Sequence, residues 1–150
     1  KSFGLRFFNV YGPWQDPNSP YSGVISIFAK SLLNNETVYI NGGHQSRDFI
    51  YINDVIKAVW NSFEYLMSGG ATDYCNVLTG KSVSINSLTN LMISITKSAS
   101  EIEYRELPLG DPIKSGGNTL KMQTLLMLSN FIDLKSGLKE TIEWMKNTHG

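Results

Sequence analysis

Residues 36–59 read E-T-V-Y-I-N-G-G-H-Q-S-R-D-F-I-Y-I-N-D-V-I-K-A-V, and this stretch decides how the rest of the chain is interpreted. Residues 38–40 (Val-Tyr-Ile) and 49–52 (Phe-Ile-Tyr-Ile) are rich in β-branched and aromatic side chains, which are typical of strands. The Asn-Gly-Gly sequence at 41–43 accepts positive φ angles, so the chain can turn tightly there. The stretch predicts two strands joined as a hairpin, followed by a helix from about Asp54.

Arg47 begins the second of these strands, beside the glycine turn and near Tyr39 on the first strand. A planar guanidinium next to free backbone N–H groups suits a phosphate, and an aromatic ring can stack on a base. Together with Asn9 and Lys114, these residues form a predicted anion-binding edge. The alternative is a surface arginine paired with Asp48 beside an ordinary hairpin, and the residues alone leave both interpretations open.

The remaining patterns alternate between strand and helix, which predicts one domain of mixed α and β type. Residues 1–10 carry apolar side chains on both faces, as a strand buried inside a sheet does, so we expect the chain to be truncated there. Further strands are predicted at 74–78 and 102–106, and further helices at 23–33, 84–95, 119–128 and 137–147.

The helix that starts near Asp54 has the strongest pattern. Asn53 is predicted to cap its first turn, and Ser-Gly-Gly at 68–70 is predicted to end it. Its apolar residues fall on one stripe that we expect to be buried: Val55, Ile56, Val59, Trp60, Phe63, Leu66 and Met67.

Composition excludes several classes of function. The 150 residues include 13 basic and 13 acidic side chains, so no broad positive surface attracts nucleic acid or an anionic membrane. No apolar run approaches the ~20 residues of a membrane span, and we expect a soluble cytoplasmic domain. The single cysteine, Cys75, is expected in the core, and the distant His44 and His149 do not predict a metal site.

Four segments together resemble the C-terminal part of the extended short-chain dehydrogenase/reductase family. They are G-L-R-F-F-N-V-Y-G-P at 4–13, D-P-N-S-P-Y-S-G-V-I at 16–25, R-D-F-I-Y-I-N-D-V at 47–55 and G-L-K-E-T-I-E-W at 137–144. Within that family the likeness is to NAD-dependent nucleotide-sugar epimerases and dehydratases, of the UDP-glucose or UDP-N-acetylglucosamine 4-epimerase type. The resemblance implies the α/β fold of the C-terminal portion of a Rossmann-type NAD(P)-binding epimerase. Residues 1–12 would then end the Rossmann sheet, and 13–150 would form a mixed α/β substrate-binding lobe.

The resemblance also implies roles for particular residues. In the family, an N-terminal NAD-binding half carries the glycine-rich cofactor loop and a catalytic Tyr-x-x-x-Lys pair. Neither is in this sequence, so no catalytic residue is expected in the chain. By resemblance, the nicotinamide of NAD would lie beside Phe7, and the UDP-sugar would contact Asn9, Tyr39, Asn41 and Arg47. Asn9 and Arg47 would bind the diphosphate, while Tyr39 and Asn41 would face the uridine.

The chain departs from the family pattern at several positions. Near Gly110 the family commonly has an Arg three residues later and an Asp eight residues later, where this chain has Ile113 and Asn118. A second phosphate contact would therefore come from Asn118, or from Lys114 next to Ile113. Further departures are Trp14, Gly42 and Leu78, which stand where Arg, Asp and Gly are common.

Two alternative functions stay open on the sequence. One is a part of a sister enzyme, a nucleotide-sugar 4,6-dehydratase or decarboxylase. The other is a stand-alone module that binds a nucleotide sugar without catalysis. The resemblance further implies that the longer parent enzyme is a homodimer.

Overall fold

The computed structural model describes residues 1–19 and 21–149, in which strands and helices alternate along the chain. Its strands are β1 (Phe3–Phe7), β2 (Asn9–Tyr11), β3 (Val38–Asn41), β4 (Ser46–Tyr51), β5 (Asp73–Val77), β6 (Ser82–Ser84) and β7 (Ile102–Arg105). Its helices are α1 (Val24–Leu33), α2 (Ile52–Met67), α3 (Ile85–Thr96), α4 (Leu120–Leu125) and α5 (Leu134–His149). The order of elements confirms the mixed α/β prediction.

The strands form three small sheets. β1 pairs in parallel with β5, from Phe3 opposite Asp73 to Phe7 opposite Val77. β2 pairs in parallel with β4, whose other neighbour is the antiparallel β6. The predicted strand at 1–10 is therefore interrupted at Phe8, and its two parts join different sheets.

The predicted hairpin is wrong. β3 and β4 are both strands, but β3 pairs in parallel with β7, with Val38 opposite Ile102. β4 instead lies between β2 and β6. The turn at 41–43 thus carries the chain from one sheet to another, and it places the ends of β3 and β4 beside the same cavity.

Two apolar clusters form the core. The larger one joins α1, α3 and α5, and α5 contributes the predicted residues Leu138, Ile142 and Met145. The smaller one packs β1, β4 and β5 against α2 and α4, and it contains Cys75. Burial raises the pKa of the Cys75 thiol. The predicted core role of Cys75 is confirmed.

Helix α2 corrects two predictions. It begins at Ile52 after Tyr51, and no side chain caps it, so Asn53 is not the cap. Its buried face consists of Asp54, Val55, Ala58 and Ser62, whereas most of the predicted apolar stripe is exposed. The small side chains Ala58 and Ser62 let the helix lie close to the structure beneath it, and this sets the orientation of the helix.

Asp54 does more than complement the helix dipole. Its carboxylate is fully buried, where it accepts hydrogen bonds from Lys57 Nζ and from the backbone N–H of Ile132, both at 2.8 Å. It therefore fixes the segment between α4 and α5 to the start of α2.

Tyr51 gives the fold a dependence on alkaline pH. Burial and the hydrogen bond that its hydroxyl donates to Glu140 (2.6 Å) raise the pKa of Tyr51 to about 12. An unfolded tyrosine ionises near pH 10, so ionisation favours the unfolded chain between about pH 10 and 12. We expect the free energy of unfolding to fall across this window in urea titrations, and to fall less steeply in Tyr51→Phe. Equal slopes in the two proteins would contradict this assignment.

Candidate functional site

A cavity of about 380 Å³ opens where the ends of several elements meet. Strands β2, β3 and β4 contribute polar side chains, the first turns of α1 and α3 contribute apolar ones, and the loop after β7 closes one side. The lining residues are Asn9, Val24, Ile27, Phe28, Tyr39, Asn41, Gln45, Arg47, Ile85 and Asp111. Larger cavities of about 420 to 540 Å³ lie elsewhere, but this one brings together four of the predicted site residues.

Arg47 is the cation of this cavity, and its side chain is only 13% exposed. One terminal nitrogen donates to the backbone oxygens of Ser46 (2.9 Å) and Pro112 (2.7 Å), and the other forms an ion pair with Asp111. These bonds use three of the five guanidinium N–H groups, leaving two without a partner among the described residues. Arg47 is therefore held in place and retains donors for an anion.

Asp48, next to Arg47 on β4, points the opposite way. Its carboxylate is 0% exposed and accepts hydrogen bonds from the backbone N–H and hydroxyl of Thr79 and the N–H of Gly80, each at 2.8 Å. Its backbone oxygen accepts from Asn9 Nδ2 at 3.0 Å. The alternative in which Asp48 neutralises Arg47 is wrong, because successive side chains on a strand lie on opposite faces.

The glycine turn forms one wall of the cavity. Gln45 Nε2 donates to the backbone oxygen of Asn41, and Gln45 Oε1 accepts from the N–H of Gly43, both at 2.6 Å. Gly43 has a φ of 102°, and a Cβ there would lie 2.3 Å from Asn86 Oδ1, so only glycine fits. The turn thus holds Asn41 at the edge of the cavity.

The Tyr39 ring is 44% exposed and carries a cation on one face. The guanidinium carbon of Arg105, on the neighbouring strand β7, lies 3.5 Å from the ring centroid. A base that stacks on Tyr39 must therefore use the other face or displace Arg105. Proximity of Tyr39 to Arg47 was expected from the sequence, whereas the contact with Arg105 was not.

Three predicted site residues lie outside this cavity. Phe7 ends β1 and is 48% exposed, and Lys114 is an exposed residue whose backbone bridges to Ser46 at the start of β4. Asn118 lines a different cavity and accepts a hydrogen bond from the N–H of Leu120 at 2.7 Å. Their contacts with cofactor or substrate stay predictions.

Two polar residues of the cavity escaped sequence reasoning, Asp111 and Gln45. Strand alternation indicated only that Asp48 faces away from Arg47, and it did not point to Asp111 as the partner. No comparable signal identified Gln45, whose role depends on the turn geometry.

The described part of the chain has neither a membrane-spanning helix nor a cluster of metal ligands. Within residues 1–19 and 21–149, no helix is long and apolar enough to cross a membrane. Among the side chains that the structure describes, which end at Thr148, no three from His, Cys, Asp or Glu form a group that could hold a metal ion.

The fold agrees with comparisons to known proteins. The NAD dependent epimerase/dehydratase family matches residues 1–77, just over half of the chain, and the chain belongs to this family. The Rossmann-type fold and the family predicted from the sequence are both confirmed.

Several proteins similar to this chain are UDP-sugar 4-epimerases. UDP-glucose 4-epimerase of Thermotoga maritima, solved with UDP-glucose, has a TM-score of 0.89 and 34% identity over 99% of this chain and 47% of its own. UDP-N-acetylglucosamine 4-epimerase of Methanobrevibacter ruminantium, in complex with UDP-N-acetylmuramic acid, has a TM-score of 0.89 and 34% identity over 97% and 46%. UDP-glucose 4-epimerase of Mycolicibacterium smegmatis is 30% identical over 143 residues, which are 93% of this chain and 44% of that protein. The chain thus spans about half the length of these relatives.

Proposed function

We propose that this chain is the substrate-binding part of an NAD-dependent nucleotide-sugar epimerase, with UDP-glucose or UDP-N-acetylglucosamine as substrate. One observation carries the proposal: Asn9, Tyr39, Asn41 and Arg47 line a single cavity although they come from three different strands. Similarity to two 4-epimerases solved with UDP-sugars supports it.

Each part of the ligand has a group suited to it. The two remaining N–H donors of Arg47 and the amide of Asn9 suit the diphosphate, since charge-assisted hydrogen bonds are the stronger ones. Tyr39 offers a ring face, and Asn41 offers an amide for the uracil edge. The apolar side chains of Val24, Ile27 and Phe28 give the cavity its hydrophobic wall.

NAD chemistry in the family transfers hydride, and the proposed role of this chain is to hold the sugar for that step. Phe7, at the exposed end of β1, is the residue that would border the nicotinamide. The chain has no glycine-rich loop for the dinucleotide phosphates, so most of that site would belong to another part of the enzyme.

The proposed Rossmann part of the chain, residues 1–12, needs one addition. β5 pairs with β1 along its whole length, so residues 73–77 belong to the same sheet as the start of the chain. If β1 belongs to the Rossmann sheet, β5 belongs to it as well and is its next strand.

Weak binding is expected for the chain by itself. One Arg–phosphate contact contributes about 1.5–3 kcal/mol, and one stacked base contributes about 1–3 kcal/mol. Before ordering costs, their sum is near the ~4 kcal/mol that corresponds to ~1 mM. Ligand-detected NMR with UDP and UDP-glucose covers this range.

Arg47→Ala is expected to weaken UDP binding by about 10- to 100-fold, the loss of one charge-assisted contact. The substitution also leaves Asp111 unpaired in the cavity, where its charge repels phosphate. Lys114→Ala is the comparison variant. Lys114 is a predicted phosphate contact, but it is exposed and lies outside the cavity, so we expect a smaller effect, less than about threefold. The measurement is the dissociation constant for UDP by NMR titration.

Equal losses in the two variants would show that Arg47 and Lys114 share the phosphates, which would contradict the leading role proposed for Arg47. Absence of UDP binding by the unsubstituted chain at millimolar ligand would overturn the proposed function. Product analysis of the complete enzyme distinguishes the sister reactions, because a 4-keto-6-deoxy sugar would identify a dehydratase.

A further inference from the structure

The guanidinium of Arg105 covers one face of the Tyr39 ring. Its central carbon lies 3.5 Å from the ring centroid, well within the ~6 Å range of a cation–π contact. Tyr39 lines the candidate cavity, whereas Arg105 is not among the lining residues. The cation therefore lies on the side of the ring away from the cavity, and the other face of the ring stays open toward the ligand.

The Tyr39 ring is the one partner of this guanidinium within residues 1–19 and 21–149. Glu103 and Glu106 are close to Arg105 in sequence, but neither forms an ion pair with it. Arg105 and Tyr39 are both exposed, and exposed side chains exchange rapidly between rotamers unless a contact holds them. Their contact thus restrains two side chains that would otherwise be mobile.

The backbone of Arg105 supports a second residue of the cavity, Asn41. The two residues lie opposite each other in the parallel pairing of β3 with β7. The backbone oxygen of Arg105 accepts a hydrogen bond from the N–H of Gly42 at 2.9 Å, at the start of the glycine turn. Arg105 therefore holds Tyr39 through its side chain and the turn after Asn41 through its backbone.

We propose that Arg105 is a positioning residue for the nucleobase. Its guanidinium holds the Tyr39 ring in one orientation, so that the face toward the cavity is ready for the base to stack on. A side chain that becomes ordered only on binding costs affinity, and one that is ordered beforehand does not. This inference rests on the proposed function, because it takes a nucleotide as the ligand.

A direct contact between Arg105 and the phosphates is the alternative. The structure favours the positioning role, because Arg105 lies behind the ring while Arg47 lines the cavity itself. The two roles differ for a ligand that has phosphates and no base. Positioning acts on the base alone, whereas a direct contact acts on the phosphates whether or not a base is present.

Arg105→Ala is expected to weaken UDP binding by about two- to fivefold, which corresponds to the strength of an exposed cation–π contact. The same substitution should leave the binding of inorganic pyrophosphate unchanged. NMR titrations of the chain in ~0.15 M salt, which screens distant charges, measure both dissociation constants. In the ligand-free variant, the Hα–Hβ couplings of Tyr39 should move toward the average over its rotamers.

Arg6→Ala is the matched control. Arg6 also lies over a tyrosine ring, that of Tyr74 at 5.5 Å, but both of these residues line a different cavity. We expect it to leave UDP binding and the Tyr39 couplings unchanged. Both variants should melt within about 2 °C of the unsubstituted chain, because both side chains are exposed.

Three results would overturn the positioning role. They are equal losses of UDP and pyrophosphate binding in Arg105→Ala, Tyr39 couplings that do not change, and UDP binding that does not change. In each case the unsubstituted chain still binds UDP, so the proposed function would stand. A chain that binds no UDP at millimolar ligand would end the proposed function and this inference together, before any variant is measured.

Discussion

Asp48→Ala is expected to lower the free energy of unfolding of the chain by about 3–5 kcal/mol. The carboxylate of Asp48 is fully buried and satisfies three donors, two from Thr79 and one from Gly80. Each buried donor left without a partner costs about 1–3 kcal/mol, and entry of water at the exposed Gly80 reduces the total. Urea unfolding at pH 7 measures the change.

Thr79→Val is the control for this prediction. It removes the Thr79 hydroxyl donor together with its hydrogen bond, and the Asp48 carboxylate keeps its two bonds from backbone N–H groups. We therefore expect a loss of about 1 kcal/mol. A loss below about 1 kcal/mol for Asp48→Ala would contradict the role assigned to its carboxylate. Asn9 lines the cavity and donates to the backbone oxygen of Asp48, so we expect Asp48→Ala to weaken UDP binding as well.

The local patterns predicted most of the elements correctly. The stretch at 38–52 contains two strands, and Ser84 caps α3 by accepting from the N–H of Ser87 at 3.1 Å. These features depend on residues close in sequence, where propensity and capping operate. The same is true of the apolar face of α5.

Strand pairing was not predictable in the same way. β3 and β4 are separated by a glycine turn, which favours a hairpin, but each pairs with a strand remote in sequence. Parallel pairing depends on crossover connections and on packing of whole elements, and a short turn motif contains no information about these.

The apolar stripe predicted on helix α2 illustrates a different limit. Its residues have the periodicity of a buried face, yet the chain buries Ala58 and Ser62 instead. Periodicity shows which side of a helix is apolar and does not show which molecule covers it. For the cavity, the sequence identified Arg47 and Tyr39 but not their partners. The position of Asp111 depends on how the loop after β7 folds, and that of Arg105 depends on the pairing of β3 with β7.

Leu138→Ala is expected to lower the free energy of unfolding by about 3 kcal/mol or more, within the range for buried leucines. Leu138 is fully buried in the larger core cluster, where α5 meets α1 and α3. Its neighbour Gly137 already lies so close to Tyr11 that a Cβ there would be 2.3 Å from the Tyr11 hydroxyl. The helix therefore has little freedom to move in and fill the space, and the cavity term stays large.

For a chain of this size, ~1 kcal/mol shifts the melting temperature by about 2–4 °C, so Leu138→Ala should lower it by about 6 °C or more. Lys139→Ala, at the next and exposed position, should change stability by less than about 0.5 kcal/mol. If Leu138→Ala cost no more than Lys139→Ala, α5 would not be docked through this face. The wall of the cavity formed by α1 would then lack the support that the larger core cluster gives it, because Ile25, Phe28 and Leu32 of α1 belong to the same cluster as Leu138.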